Sequence, residues 1–329
     1  MAYDNLKLEK GLYTTGKSFT STLEELDPSE NYKGTSLEGL DAFERQLKRF
    51  DIKVSGPESD TISKFFKTTD SAALFPEYIS RVVNQGILGD DRVERIVATT
   101  TVIDGLDYRS IQTNQTEDDL SLSETIEGNY LPKMEIKTKS ELTKLKKYGK
   151  MISATYEAIK FQKLDLFSLT LRRIGEYISN CEFANAVETA ANDCEAFVSQ
   201  TGTFTYDELV NLWTSLYPFN MTTLVVNNAD MKDLLKISEF RDATAGLDFH
   251  GTGRIITPFG AEIIRCAAVP VGTIVALDKN YAVEKVQAGG IVTDYDKLID
   301  CQLERATIST IVGFSPIYDG ATKTLSLTA

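Results

Sequence analysis

The chain has 329 residues, 42% of them apolar and 25% charged, the balance of a folded protein of about two domains, which excludes a stapled miniprotein and a disordered chain. Asp and Glu exceed Lys and Arg by 48 to 35, for a net charge of -13. Sequence-blind coating of nucleic acid is disfavoured, because that binding depends on Lys and Arg displacing condensed counterions. Residues 1–10 hold no basic region followed by an apolar run, so no secretory or transit signal is expected. The uncharged stretch Leu209 to Ala229 contains Pro218 and many Asn, Ser and Thr residues, which disqualifies it as a membrane span. An intracellular soluble protein is expected. Cys181, Cys194, Cys266 and Cys301 are widely scattered and read as reduced core thiols rather than a disulfide frame or zinc site.

The first 70 residues are polar, short in apolar periodicity and punctuated by Gly11, Gly16, Pro28, Gly34, Gly39, Gly56 and Pro57; they read as an arm. Within it, Asp41-Ala-Phe-Glu44 can form a capping box, and Leu40, Phe43, Leu47 and Phe50 then share one helical face. Such an isolated amphipathic helix needs a surface, either its own body or a neighbouring subunit. Phe43 and Leu47 are the candidate contact residues.

Arg95 to Ile103 is a β-branched run that predicts a strand. Between Asp104 and Gly128 seven acidic residues face the single base Arg109, and between Lys133 and Lys150 seven lysines face Glu135 and Glu141. The pattern predicts a long two-stranded excursion with oppositely charged limbs, either a solvated hairpin or a contact between subunits. Candidate contacts are Glu117, Asp118 and Asp119 on the first limb and Lys133, Lys137, Lys139 and Lys144 on the second.

A helical region is expected from near Ser153. Leu164, Phe167, Leu171, Ile174, Ile178 and Cys181 step by three and four, the stripe of a long spine helix that continues through Phe183 and Val187 towards Ala191. After Gly202 the pattern becomes mixed α/β. Thr205-Tyr-Asp-Glu208 caps a helix burying Leu209, Val210, Trp213, Leu216 and Tyr217, and Leu224-Val-Val226 is a short strand followed by a capped second helix. Gly246, Gly251 and Gly253 predict a loop over 242–253; residues 261–269 and 273–277 predict a hairpin, and 299–313 and 323–327 further strands.

Gly11-Leu-Tyr-Thr-Thr-Gly16-Lys17-Ser18 matches the phosphate-binding P-loop pattern, and Asp278 ends an apolar run suited to a magnesium-holding partner. The context opposes it: residues 4–10 are too polar for the buried strand that must precede the loop, and Phe19 to Asp27 too polar for the helix that must follow. The single histidine, His250, has nothing near it in sequence to orient it as a catalytic base. No spaced Asp, His or Cys set predicts a metal, so neither an enzyme nor a cofactor is expected.

The order of parts is itself a signal. Leu40 to Lys48, Ala73 to Tyr78, Ile152 to Tyr156, Leu224 to Asn228, Gly260 to Asp278 and Gly313 to Tyr318 resemble, in that order, segments of the major capsid proteins of tailed bacteriophages. The resemblance implies an α+β, Hong Kong 97-like capsid fold. Its parts would be an N-terminal arm over 1–70, a peripheral domain from 71–94 and 151–203 carrying the spine helix, an extended loop over 95–150, an axial α/β domain over 204–280 and returning strands over 281–329. It also implies hexamers and pentamers of an icosahedral shell that encloses phage double-stranded DNA without sequence-specific binding. Assembly would take place in the host bacterial cytoplasm, with a portal and no membrane. Some relatives join their subunits through a Lys-Asn bond, but residues 281–329 contain no asparagine, so none is expected. Because the arm starts at Met1, a separate scaffold protein is expected. The alternatives are an encapsulin-type nanocompartment and, more distantly, a P-loop nucleotide-binding enzyme.

Overall fold

The computed structural model describes residues 2–13, 18–112, 124, 127, 137–192, 194–199, 202–241, 255–298, 300 and 303–327. The chain divides into a first unit of residues Met1–Asp90, Gly149–Ile178 and Ile291–Thr310, and a second of Asp91–Tyr148, Ser179–Gly290 and Ile311–Ala329.

In the first unit the N-terminal segment has a core. Helix α1 (Phe19–Leu26) is capped by Ser18, whose hydroxyl accepts from the Ser21 amide at 3.1 Å, and it buries Phe19, Thr22 and Leu23 on one face. The expectation that this stretch is too polar for a helix is therefore corrected: three inward residues and a cap suffice when tertiary packing supplies the rest. Helix α2 (Ala42–Arg49) carries both halves of the expected capping box, Glu44 N–H to Asp41 at 2.8 Å and Asp41 N–H to Glu44 at 3.1 Å.

Beneath α2 the interior is polar and centred on Arg45, whose side chain is 0% exposed. Its Nε donates to Asp27 Oδ2 at 3.0 Å, Nη1 to Ser29 Oγ at 2.8 Å and to the Leu40 carbonyl at 2.7 Å, and Nη2 to the Asp27 carbonyl. The guanidinium lies 4.4 Å from the Tyr32 ring centroid, and the Tyr32 hydroxyl donates to Asp27 Oδ1. A buried charge is tolerated only when it is paired and hydrogen-bonded, and here each of the three guanidinium nitrogens has a partner.

Short helix α3 (Thr69–Ala72) leads into α4 (Phe75–Leu88), where Pro76 in the first turn sacrifices no intrahelical donor. The N-terminal segment is tied to the α3–α4 junction by Tyr13 OH to the Ala73 carbonyl at 2.7 Å, and to α4 by Arg81, which pairs with Asp41 at 2.7 Å and, within the helix, with Glu77 at 3.1 Å. Phe43 lies under the Arg81 guanidinium at 4.4 Å, and both Phe43 and Leu47 are buried. This corrects their candidacy as contacts with a neighbouring subunit: their apolar surface is spent inside the chain's own first unit.

Strand β4 (Leu145–Thr155) includes Ser153, so the helical region begins later than expected. Helix α5 (Tyr156–Phe161) starts where the Thr155 hydroxyl accepts from the Ala158 amide at 3.3 Å, and the long helix α6 (Leu164–Asn192) follows. In the first unit, α6 meets α4 through facing glycines. A Cβ built on Gly86 would stand 2.2 Å from the Arg172 carbonyl oxygen, and one on Gly175 would stand 2.2 Å from that of Val83. Only glycine permits that approach. The stripe Leu164, Phe167, Leu171, Ile174 and Ile178 is buried as expected. Phe167 stacks on Phe75 at 6.2 Å, and the buried Tyr78, whose hydroxyl donates to the Leu164 carbonyl at 3.2 Å, has its phenol pushed up to about 12 by burial. Strand β10 (Val292–Leu298) pairs antiparallel with the first part of β11 (Leu303–Pro316).

In the second unit, α6 continues with Phe183, Ala186, Val187 and Ala190 packed into one core with Val97, Val275, Val283 and Val312. Cys181, placed on the stripe by its spacing, is exposed instead; the buried face here runs through Glu182 and Phe183. Strand β1 (Val97–Ile103) pairs parallel with β9 (Val283–Ala288), and β9 pairs antiparallel with the end of β11. A second sheet runs β5-β12-β8-β6-β7 through Glu195–Val198, Thr322–Ser326, Thr273–Leu277, Thr223–Val226 and Glu262–Arg265. Helices α7 (Tyr206–Ser215) and α8 (Asn228–Leu234) contribute Leu209, Leu212, Leu216, Met231 and Leu234 to its core. The expected burial of Trp213 and Tyr217 is corrected. They fall beside the 209–212–216 stripe, and Tyr217 is 86% exposed. No helix among the described residues is long and apolar enough to cross a membrane.

Candidate functional site

The described root of the charged excursion lies in the second unit. Strands β2 (Ile111–Gln112) and β3 (Lys137–Thr138) pair antiparallel. The ladder continues towards the base of the excursion through the Lys139 amide to the Ser110 carbonyl and the Thr143 amide to the Tyr108 carbonyl, both at 2.8 Å.

What fixes this root is a buried carboxylate on β9. Glu284 is 6% exposed. Its Oε1 accepts from Thr101 Oγ1 and from the Tyr108 hydroxyl, each at 2.6 Å, and its Oε2 accepts from Ser110 Oγ at 2.5 Å. These lengths are those of hydroxyl donors on a charged acceptor. Burial, then the bond to Glu284, raises the Tyr108 phenol above its ordinary range. One carboxylate thus ties β1 and the outgoing limb to β9. The next residue, Lys285, points its ammonium the other way, 2.7 Å from the buried Glu182 of α6.

The returning limb is held by different means. Lys139 Nζ donates to the Pro316 carbonyl at 2.7 Å and lies 3.4 Å from Ser315 Oγ, the residue opposite Glu284 in the β9–β11 register. Further on, the limb leads into β4, which pairs with β11, and a Cβ on Gly313 would stand 2.6 Å from the Lys144 carbonyl. Lys146 pairs with Glu188 of α6 at 3.6 Å and donates to Asn185. Against this anchored base, Val102, Leu106, Ile111 and Leu142 are exposed, apolar surface gathered on the described part of the excursion.

Lys137 and Lys144 are exposed, and Lys139 is half-buried at its fold-internal partners. Glu117, Asp118, Asp119 and Lys133 lie outside the described residues, as does His250. The sequence reading missed Glu284, Tyr108 and Ser110. The signal was present: Val283-Glu-Lys-Val286 places two opposite charges inside a strand whose flanking valines are fully buried, so each charge needs its own buried partner.

The nucleotide reading meets a different backbone. Residues Ala2–Asn5 and Lys10–Tyr13 are 3-10 turns rather than the buried strand a P-loop follows, and Thr14 to Lys17 lie outside the described residues. Asp278 is fully buried, its two oxygens accepting the Asn220 amide at 2.9 Å and the Asn280 amide at 3.0 Å, so it is committed to loop structure. Among the described residues, no group of three or more His, Cys, Asp or Glu side chains is placed to hold a metal ion.

A long helix, two mixed sheets and a hairpin anchored on the returning strands together define a Hong Kong 97-like shell-protein fold. Residues 138–300 match the model of the phage capsid protein family. No curated protein sequence matches the chain. Among solved structures, the capsid of a native GTA particle superposes with a TM-score of 0.55 at 14% identity, over 73% of this chain and 91% of that one. The capsid of cyanophage P-SCSP1u gives 0.51 at 12% identity over 71% and 87%. The SrpI encapsulin complex of Synechococcus elongatus PCC 7942 gives 0.50 at 12% identity over 73% and 88%. The chain has the fold of a phage major capsid protein.

Proposed function

We propose that this chain is a structural shell subunit that self-assembles into hexamers and pentamers of an icosahedral container for phage double-stranded DNA. The observation that carries the reading is the excursion over 95–150 in a chain of capsid fold. It is rooted by Glu284 and Lys139, and it exposes Val102, Leu106, Ile111 and Leu142. Apolar surface gathered on one segment marks an interaction site, and a neighbouring copy is the partner that symmetry favours, because it repeats one contact around every ring. Lys137 and Lys144, with Lys133 and the acidic Glu117, Asp118 and Asp119, supply the charges for that contact. The acidic balance of -13 suits a wall that must let its genome leave. A separate scaffold protein and a portal would act as partners during assembly in the host cytoplasm.

Electron microscopy of the purified protein tests the reading. Rings or closed shells are expected, and a small monodisperse species under all solution conditions would overturn it. The encapsulin resemblance supports a second reading, a shell around protein cargo. Nuclease-protected DNA inside particles from the native source favours the first, and co-purifying enzyme the second.

A further inference from the structure

Away from the hairpin root, the second unit holds a cavity of about 390 Å³ lined by Arg92, Arg95, Arg265 and Glu262 over an apolar wall that includes Ile255 and Ile263. The chain has only 12 arginines, so a quarter of them meet in one place. Three arginines and one glutamate line it, with the Asp91 carboxylate beside Arg95, in a protein whose overall charge is -13. Their heads are pre-oriented. Arg95 Nη1 lies 3.0 Å from Glu262 and its Nη2 lies 2.6 Å from Asp91. Arg92 donates to Asn180 Oδ1 with its guanidinium 5.3 Å from the Phe183 ring, and Arg265 Nη1 lies 3.4 Å from Asn228 Oδ1.

We propose that this cavity is an oxyanion site, taking a carboxylate or a phosphate group between Arg92 and Arg265. Guanidinium forks match both groups bidentately, and their charge does not depend on pH in any working range. The cavity sits near the small end of the usual range for ligand pockets, roughly 300–1,000 Å³. That leaves room for one such group on a short stem against the isoleucine wall. Two sources carry this chemistry: an acidic side chain of a second copy of the chain, and free phosphate. The first source rests on the self-assembly proposed above; the site itself does not.

The test uses inorganic phosphate on the unassembled full chain, with chloride at equal ionic strength as the reference. Phosphate is expected to raise the Tm of the wild-type protein. Arg92→Gln and Arg265→Gln, at half-buried and exposed positions, are each expected to weaken the phosphate Kd about tenfold or more, the loss of one charge-assisted hydrogen bond. Assembly followed by light scattering then separates the sources. Phosphate that slows assembly of wild type, with both variants assembling poorly without it, assigns the site to a neighbour's carboxylate. Phosphate that binds without touching assembly assigns it to a free anion. No phosphate-specific stabilisation, or one that both variants retain, overturns the proposal.

Discussion

Residues 1–70 and 95–150 both read in sequence as excursions from the body, the first as a polar arm and the second as a hairpin with oppositely charged limbs, yet they are built in opposite ways. The first stretch is closed: Arg45 is saturated by Asp27, Ser29, Leu40 and Tyr32, and the apolar residues Phe19, Tyr32, Phe43 and Leu47 are buried. Among the described residues the second is held at its base, by Glu284, Lys139 and Lys146, and beyond the buried Ile96 and Val97 it leaves Val102, Leu106, Ile111 and Leu142 outside. Polarity alone therefore does not mark a segment as an arm. A saturated buried ion network can stand in for a hydrophobic stripe, and neither strand nor helix periodicity reports it.

The largest expected effect falls on the closed region. Arg45→Ala leaves the Asp27 carboxylate buried with Tyr32 as its remaining side-chain donor. A broken buried pair of this kind costs about 3–5 kcal/mol, which a urea titration will read as a lower midpoint. Arg45→Met together with Asp27→Leu should cost far less, because the penalty lies in the orphaned charge. If the single variant is as stable as wild type, the N-terminal segment does not have the closed interior described.

Next in size is the base of the open region. Glu284→Ala strands the buried Ser110 hydroxyl and removes the shared acceptor of Thr101 and Tyr108. A loss of about 1–3 kcal/mol is expected, with faster amide hydrogen exchange at Ser110 to Gln112 and at Lys137 to Thr143. Glu284→Gln keeps the shape and one acceptor, and should lie between the two. Uniform exchange across the limb in all three proteins would break the assignment of Glu284 as its anchor.

A smaller effect returns to the closed region through pH. Burial pushes the Glu24 carboxyl up, but donors from the Ser29 side chain, the Ala42 and Ser29 amides and the Arg45 charge outweigh it and hold the group below its ordinary range. A depressed carboxyl contributes stability that is present above its unfolded value and lost as pH falls through the folded one. Thermal stability should therefore decline below about pH 4.5, and Glu24→Gln should flatten that part of the profile.

Much of the architecture was readable in the sequence wherever a periodic apolar pattern met a cap. The stripe of α6, the capping box of α2 and the strand at Leu224 to Val226 are examples. What escaped were features of tertiary origin. The parallel pairing of β1 with β9 joins residues about 180 apart. The burial of Arg45 and Glu284 depends on partners from several elements, and the outward turn of Cys181 follows from how the buried face of α6 shifts to Glu182 once Lys285 neutralises it. The candidate site was located by its charge reversal but not by its anchors, because hydroxyl donors such as Thr101, Tyr108 and Ser110 carry no charge pattern to read.

The smallest expected effect on the folded chain is the one that sharpens the comparison most. Lys139 belongs to the fold through Pro316, so its reversal confounds assembly with stability, whereas Lys144 is exposed. Lys144→Glu should move the unfolding free energy by no more than about 0.5 kcal/mol, as surface substitutions do. Each lost ion pair between copies is worth only about 0–1 kcal/mol. A ring or shell multiplies that loss by its copy number, so the yield of particles should collapse while the monomer melts normally. Equal particle yield at equal monomer stability would mean that the lysine limb is a solvated surface, and that the exposed Val102, Leu106, Ile111 and Leu142 alone carry the contact.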